Sequence, residues 1–335
     1  MNANRRNLLV VTSAAAITGW PAWRLAAAAT PAHIGVLFLG SPEQRDEVDR
    51  NLLAGLSELG YLEGRDLVLE RRYAYSEPGR LAAFAQEFVA RKFDVIVTTC
   101  TPTTRAASSA TRSVPIVMVA VSDPVAAAFV KSLAEPGGNV TGRSSQSNDI
   151  VPKMLDLFAR AVPQARPLAV IVNVQNPAQE ALWRAAERAA AALKLALQRV
   201  EVRSVENMRG QDLPTAFERI AAAHAGGFFV LPDDPMSLLN RARIVALAEQ
   251  HRLPGLYGAS EFPESGGLMS YGESIGDSAR QSARHLVRLL KGASPATLPV
   301  EQPTRFELVI NLTAARAVGV TMPKELLVLA DKVIA

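Results

Sequence analysis

Apolar positions along the chain fall into two alternating patterns. Short runs of consecutive apolar residues, HIGVLFL at 33–39 and LAVIV at 168–172, have the continuous hydrophobicity of strands covered on both faces. Between such runs, apolar residues recur at three- and four-residue spacing, as in Val48, Leu52, Leu53, Leu56 and Leu59, a series that stops at Gly60. The same reading predicts strands over 67–73, 93–99 and 115–121, with helices over 81–91 and 103–110 between them. A second series opens after Asn148. It predicts helices over 151–161, 178–193, 213–225 and 236–250, and strands over 168–172, 197–202 and 227–231. Two such series predict an α/β protein of two Rossmann-like lobes, each a doubly wound parallel sheet with right-handed crossovers. A chain of 335 residues also exceeds the roughly 250–300 that one hydrophobic core supports. The stretch 136–148, poor in large apolar residues, is the expected first crossing between lobes, and its Gly137-Gly138-Asn139-Val140-Thr141-Gly142 segment reads as a turn.

Five strand ends share one device, a polar residue followed by proline: Ser41-Pro42, Thr101-Pro102, Asp123-Pro124, Asn176-Pro177 and Asp234-Pro235. Ser, Thr, Asp and Asn are preferred helix N-caps, and proline suits the first helical position. Each site therefore reads as a strand turning sharply into a helix. In a doubly wound sheet such turns gather at the carboxyl edge, where ligands bind. Helix N-termini with hydroxyl caps suit a carboxylate, whereas Asp123, Asp233 and Asp234 suit an ammonium or a hydroxyl donor. Tyr257 and Tyr271, each followed by glycine at a strand end, are candidates to cover an apolar ligand body. Equivalent turns in the two halves make a clamshell, a device that engulfs a small molecule by hinge motion.

Charge and composition narrow the classes. Of the formal net charge of +4, three charges come from Arg5, Arg6 and Arg24, in a leader without acids. The nearly neutral remainder has no electrostatic reason to seek nucleic acid. The Arg5-Arg6 pair precedes an uncharged apolar stretch, 8–20, shorter than the ~20 residues a membrane-spanning helix needs. With the small residues 26–29 behind it, residues 1–29 read as an export signal of twin-arginine or Sec type, cleaved near Ala29 and leading to the periplasm. The single cysteine, Cys100, excludes an internal disulfide and a cysteine zinc site.

Catalytic motifs mostly fail. His33, His224, His251 and His285 lack zinc-site spacing, and neither a phosphate loop nor a dinucleotide fingerprint is present, so no metal and no cofactor is expected. Gly272-Glu273-Ser274-Ile275-Gly276 has the form of a nucleophile elbow. The histidine that follows, His285, would stand about 12–15 Å along the helix that the elbow starts. Ser274 therefore reads as an N-cap, with an exported serine hydrolase as the remote alternative.

Several segments together resemble one family. They are Tyr61-Leu62-Glu63-Gly64, Asp123-Pro124-Val125, 136–142, Leu253-Pro254, Gly266-Gly267-Leu268-Met269-Ser270-Tyr271-Gly272, 298–304 and 306–312. The chain from His33 onward resembles the ABC-transporter substrate-binding proteins of the tryptophan/tyrosine type. The resemblance implies the periplasmic-binding-protein type I fold, with a ligand cleft between the lobes. The first lobe is expected over 30–145 plus about 274–300, the second over 146–273 plus about 301–335. It also implies a monomer that captures an amino-acid-like or aromatic carboxylate ligand and delivers it to an inner-membrane permease driven by a separate ATPase. A ligand sensor for a membrane receptor would share the fold. The expected pocket comprises Ser41, Thr101, Thr103, Ser122 and Asp123 from the first lobe. Asn176, Asp233, Tyr257 and Tyr271 complete it from the second.

Overall fold

The computed structural model describes residues 30–176, 178–203 and 212–335; the export signal expected over 1–29 and the proline at 177 lie outside them. The chain opens as β1 (Ala32–Phe38), α1 (Pro42–Glu58), β2 (Leu67–Tyr73), α2 (Gly79–Ala90), β3 (Val95–Thr98), α3 (Thr101–Ala110), β4 (Ile116–Val121) and β5 (Val140–Ser144). It continues as α4 (Ser147–Ala161), β6 (Leu168–Asn173), α5 (Ala178–Ala192), β7 (Leu197–Val202), α6 (Leu213–Ala222) and β8 (Gly227–Val230). Then follow α7 (Pro235–Leu239), α8 (Arg241–Gln250), β9 (Gly255–Tyr257), α9 (Glu261–Glu264), β10 (Met269–Gly272) and α10 (Ile275–Leu290). The chain ends in β11 (Glu307–Asn311), α11 (Leu312–Ala317), α12 (Lys324–Leu329) and β12 (Lys332–Ile334).

The strands form two sheets. The first has the order β2-β1-β3-β4-β5 and is parallel throughout. The second has the order β12-β11-β10-β9-β8-β6-β7 and is parallel except at the β10–β11 joint. That one antiparallel joint departs from the wholly parallel expectation. Its cause is topological: after β10 the chain leaves the second sheet to build α10, which packs on α1, β4 and β5, before returning as β11. Gly55 of α1 makes this packing possible, because a Cβ there would run into the main-chain carbonyl of Arg280.

Each sheet carries apolar layers on both faces, as the continuous hydrophobic runs require. In the first sheet, Ile34, Val36 and Phe38 point to the side of α1 and α10, while Leu37 points to that of α2 and α3. In the second, Leu168, Val170 and Val172 face α4 and α5, and Ala169 and Ile171 face α6 and α8.

Val140–Ser144 is a strand, β5, where a turn was expected from the glycines. All five residues are buried, and Val140 and Thr141 pair with Ile116 and Val117 of β4. Gly142, at φ +125°, lies against the carbonyl of Met118, where the register shifts. Arg143 bridges to Glu301, so the connection leaving β5 and the one approaching β11 run side by side.

Candidate functional site

A cleft lined from both sheets lies where the strand ends gather. It has two chambers that share Thr101, Ser122, Asp234 and Pro235. The outer one is about 740 Å³, with walls from α2, α3 and α5 that include Leu81, Ala106 and Ala181. The inner one is about 80 Å³, and its lining includes Cys100 and Ser122 from the first sheet, Asp233 from the second, and Glu273.

The turns that build this cleft are capped as their sequences require. Asp234 caps α7, accepting from the Ser237 N–H at 3.1 Å and its hydroxyl at 2.7 Å. The Asn173 side-chain amide adds a bond to the other oxygen at 2.9 Å. Asn176 accepts from the Ala178 N–H at 3.1 Å and donates to the Asp233 carbonyl at 2.9 Å. At the third turn the N-cap position is Cys100, and Thr101 is the first helical residue, so the helix starts one place earlier than the Thr-Pro pattern implied.

The expected site residues divide into two groups. Thr101 and Ser122 line both chambers, Asp123 and Asn176 the outer one, and Asp233 the inner one. Asp123 is exposed at the rim. Its Oδ1 accepts from the Val125 and Ala126 N–H groups at 3.1 and 2.9 Å, capping a turn in place of the helix expected there. The other four line neither chamber. The Ser41 hydroxyl donates to Glu43 at 2.6 Å. Thr103 is consumed by its own turn, since Oγ1 accepts from the N–H groups of Thr99 and Cys100 and donates to the Cys100 carbonyl at 2.8 Å.

Tyr257 is fully buried among Phe217, Phe228 and Phe262, and stacks on Phe262 with centroids 4.4 Å apart. The pleat of β9 turns its ring into the helix-covered layer, so that the next residue, Gly258, faces the chamber instead. Its hydroxyl has no partner, and burial pushes its pKa up. Tyr271 packs against Phe306 at 6.0 Å.

Electrostatics concentrate in the inner chamber. Ser145 donates to both carboxylate oxygens of Asp233, at 2.9 and 3.0 Å. Burial nevertheless holds this carboxyl above the usual range, opposed by hydrogen bonds from Ser147, Ser122 and Ser145. Glu273, which the sequence reading did not select, is the second acid. Burial pushes it up to about 8, against the hydrogen bond from Ser278 and the charge of Arg143, while Asp233 and Glu261 add to the rise. A local signal for Glu273 existed, an acid directly after the strand end at Gly272, but the neighbouring Ser274 drew the motif reading.

Ser274 is the N-cap of α10, accepting from the Asp277 N–H at 3.1 Å. His285 is buried, with Nε2–H donating to the Pro299 carbonyl at 3.0 Å. The serine and the histidine thus serve separate structural bonds, and no nucleophile–base pair forms between them. Among the described residues, no group of three or more His, Cys, Asp or Glu could hold a metal ion.

A family model described as ABC transporter substrate binding protein matches residues 33–334. A curated relative, the tyrosine-binding protein of Clostridioides difficile, is 26% identical over 295 residues, 85% of this chain and 80% of that protein. Among solved structures, a conserved domain protein of Vibrio cholerae superposes with a TM-score of 0.83 at 29% identity, over 91% of this chain and all of the other. An ABC domain from Streptococcus pneumonia in complex with L-Trp also superposes with a TM-score of 0.83, at 25% identity and the same coverage.

Proposed function

We propose that this chain, which belongs to the family of ABC transporter substrate binding proteins, captures an aromatic L-amino acid in its two-chambered cleft and delivers it to a membrane permease. The observation that carries this reading is the cleft itself: strand ends of both sheets converge on one cavity large enough for such a ligand. The tyrosine-binding relative and the L-Trp complex of another support the choice of ligand class.

In this reading the lobes span 30–145 with about 274–300, and 146–273 with about 301–335. They close by bending at the connections near Ser145, Ser274 and Glu301. Thr101, at the N-terminal end of the ten-residue α3, offers a hydroxyl and backbone N–H groups to the ligand carboxylate. Asp233, which lines the inner chamber, takes the ammonium, while Asp123 stands at the rim of the outer one. The chain works as a monomer, exported by its leader to the periplasm, and a separate ATPase drives the permease.

Thermal melting against a panel of amino acids, aromatic carboxylates, sugars and small peptides tests this reading. A ligand at about 100 times its dissociation constant stabilises by about 2.7 kcal/mol, a rise of a few degrees. Selective stabilisation by L-tyrosine or L-tryptophan is the expected result. Stabilisation by a sugar alone would move the protein to another ligand class.

A further inference from the structure

We propose that Glu273 makes the inner chamber a cation-accepting subsite, so that the ligand must enter it with a basic nitrogen, held between the carboxylates of Asp233 and Glu273. The proposal deepens the aromatic amino-acid reading and rests on its cleft, but not on the aromatic body of the ligand.

Three observations carry it. First, the chamber is lined by Asp233, Asp234 and Glu273 and, among the described residues, by no lysine, arginine or histidine. Arg143, whose charge reaches Glu273 from a neighbouring pocket, stands outside the chamber and is bonded to Glu301 at 3.0 Å. Asp234 is spent as a helix cap, which leaves two acids facing the space. Second, Glu273 is only 9% exposed, yet one of its two oxygens is idle. Oε2 accepts from the Ser278 hydroxyl at 2.7 Å, and Oε1 has no partner among the described residues. That oxygen is free to accept from a ligand N–H. Third, the two chambers differ in scale. About 80 Å³ admits a small head group, while the body of a ligand fits the adjoining 740 Å³.

An ammonium brings three donors to two carboxylates and the neighbouring hydroxyl of Ser122. A ligand carboxylate in the same place would meet two acids and no cation. In the free protein the two carboxyls resist joint ionisation through burial and mutual repulsion. The groups facing Glu273 are Ser278 of α10, Asp233 of the β8–α7 turn, Arg143 of β5 and Glu261 of α9. Those facing Asp233 are Ser122, Ser145, Ser147 and Asp234. A cation arriving between them displaces a proton, and affinity therefore rises with pH until Glu273 is ionised in the free protein.

Calorimetric titration of the purified protein between pH 6 and 9 tests this. The probes are L-tyrosine, tyramine, 3-(4-hydroxyphenyl)propionate, L-lysine and agmatine. The expected result is binding by amine-bearing probes, with the propionate at least a hundredfold weaker than tyramine. Affinity should rise by up to tenfold per pH unit and level off near 8, where Glu273 titrates in the free protein. Glu273→Gln should weaken binding at least tenfold and remove the slope, and Glu273→Asp should retain part of both. If Glu273→Gln does not fold, the wild-type protons released on binding, measured in buffers of different ionisation enthalpy, decide instead. No release below pH 8 overturns the proposal. So does a propionate that binds as tightly as tyramine, an unchanged Glu273→Gln, or a lack of binding by every amine. Binding by lysine or agmatine with no response to tyrosine or tyramine would remove the aromatic reading and leave this one standing.

Discussion

The Ser145 hydroxyl donates to both carboxylate oxygens of Asp233, at 2.9 and 3.0 Å, and so ties the crossing that follows β5 to the turn that follows β8. The bond spans the two sheets at the base of the cleft. It holds the second-lobe turn against the first-lobe strand end while orienting the acid that faces the inner chamber.

Ser145→Ala should therefore loosen the link between the two sheets more than it unfolds either one. One hydrogen bond to a charged or shared-proton acceptor contributes about 1.5–3 kcal/mol. Ligand affinity should fall roughly tenfold or more, with a melting temperature of the free protein close to wild type. Titration calorimetry and differential scanning calorimetry on the same samples separate the two effects.

Glu273 predicts an unusual pH dependence of the free protein. Its folded pKa, about 8, lies above the ordinary value of 4.5, so the folded state holds a proton that the unfolded state releases between those limits. Stability from this group is present below about pH 4.5 and is lost as pH rises to about 8, amounting to a few kcal/mol over the window. The melting temperature of the unliganded protein should decline across that range. Glu273→Gln should flatten the decline and raise stability at pH 8. A flat wild-type profile would contradict the burial of this carboxyl.

Tyr257→Phe should stabilise the fold by about 1 kcal/mol, because it removes a buried hydroxyl with no partner and keeps the stack on Phe262. Ligand affinity should stay within twofold of wild type, since the ring faces the second-lobe core. A large loss of affinity would place Tyr257 in the site after all.

Gly55→Val should be severely destabilising, by several kcal/mol, because α1 and α10 meet there without room for a Cβ. Urea denaturation followed by circular dichroism measures it. An unchanged midpoint would show that the two helices do not pack as described.

Cys100 supplies an internal reporter, being the one cysteine of the sequence and part of the inner chamber wall. Its alkylation by iodoacetamide should slow markedly when ligand fills the cleft, by a factor that follows occupancy across a titration. Equal rates with and without saturating ligand would put the ligand elsewhere.

The two sheets were legible in the sequence because buried parallel strands are continuous apolar runs and their helices carry a clear period. Local capping was legible too, as at Asp234 and Ser274, since a cap depends on residues three positions apart. The strand Val140–Ser144 was not, because its Thr, Gly, Arg and Ser residues carry no apolar pattern. Its pairing depends on a partner strand more than twenty positions upstream. Thr103 and Tyr257 were assigned to the cleft by proximity to strand ends. A hydroxyl's actual partner and the face on which a ring falls are set by turn geometry and pleat parity, which composition does not reveal. Glu273 escaped for a further reason. The charges that act on it, those of Asp233 and Arg143, come from residues distant in sequence and brought together by the fold.

The most direct test of the central claim is calorimetric titration of the purified protein with L-tyrosine and L-tryptophan. The account predicts one-to-one binding of at least one of them with micromolar or tighter affinity. A cooperatively folded protein that gives no binding heat with either, at millimolar ligand and at several temperatures, would contradict it.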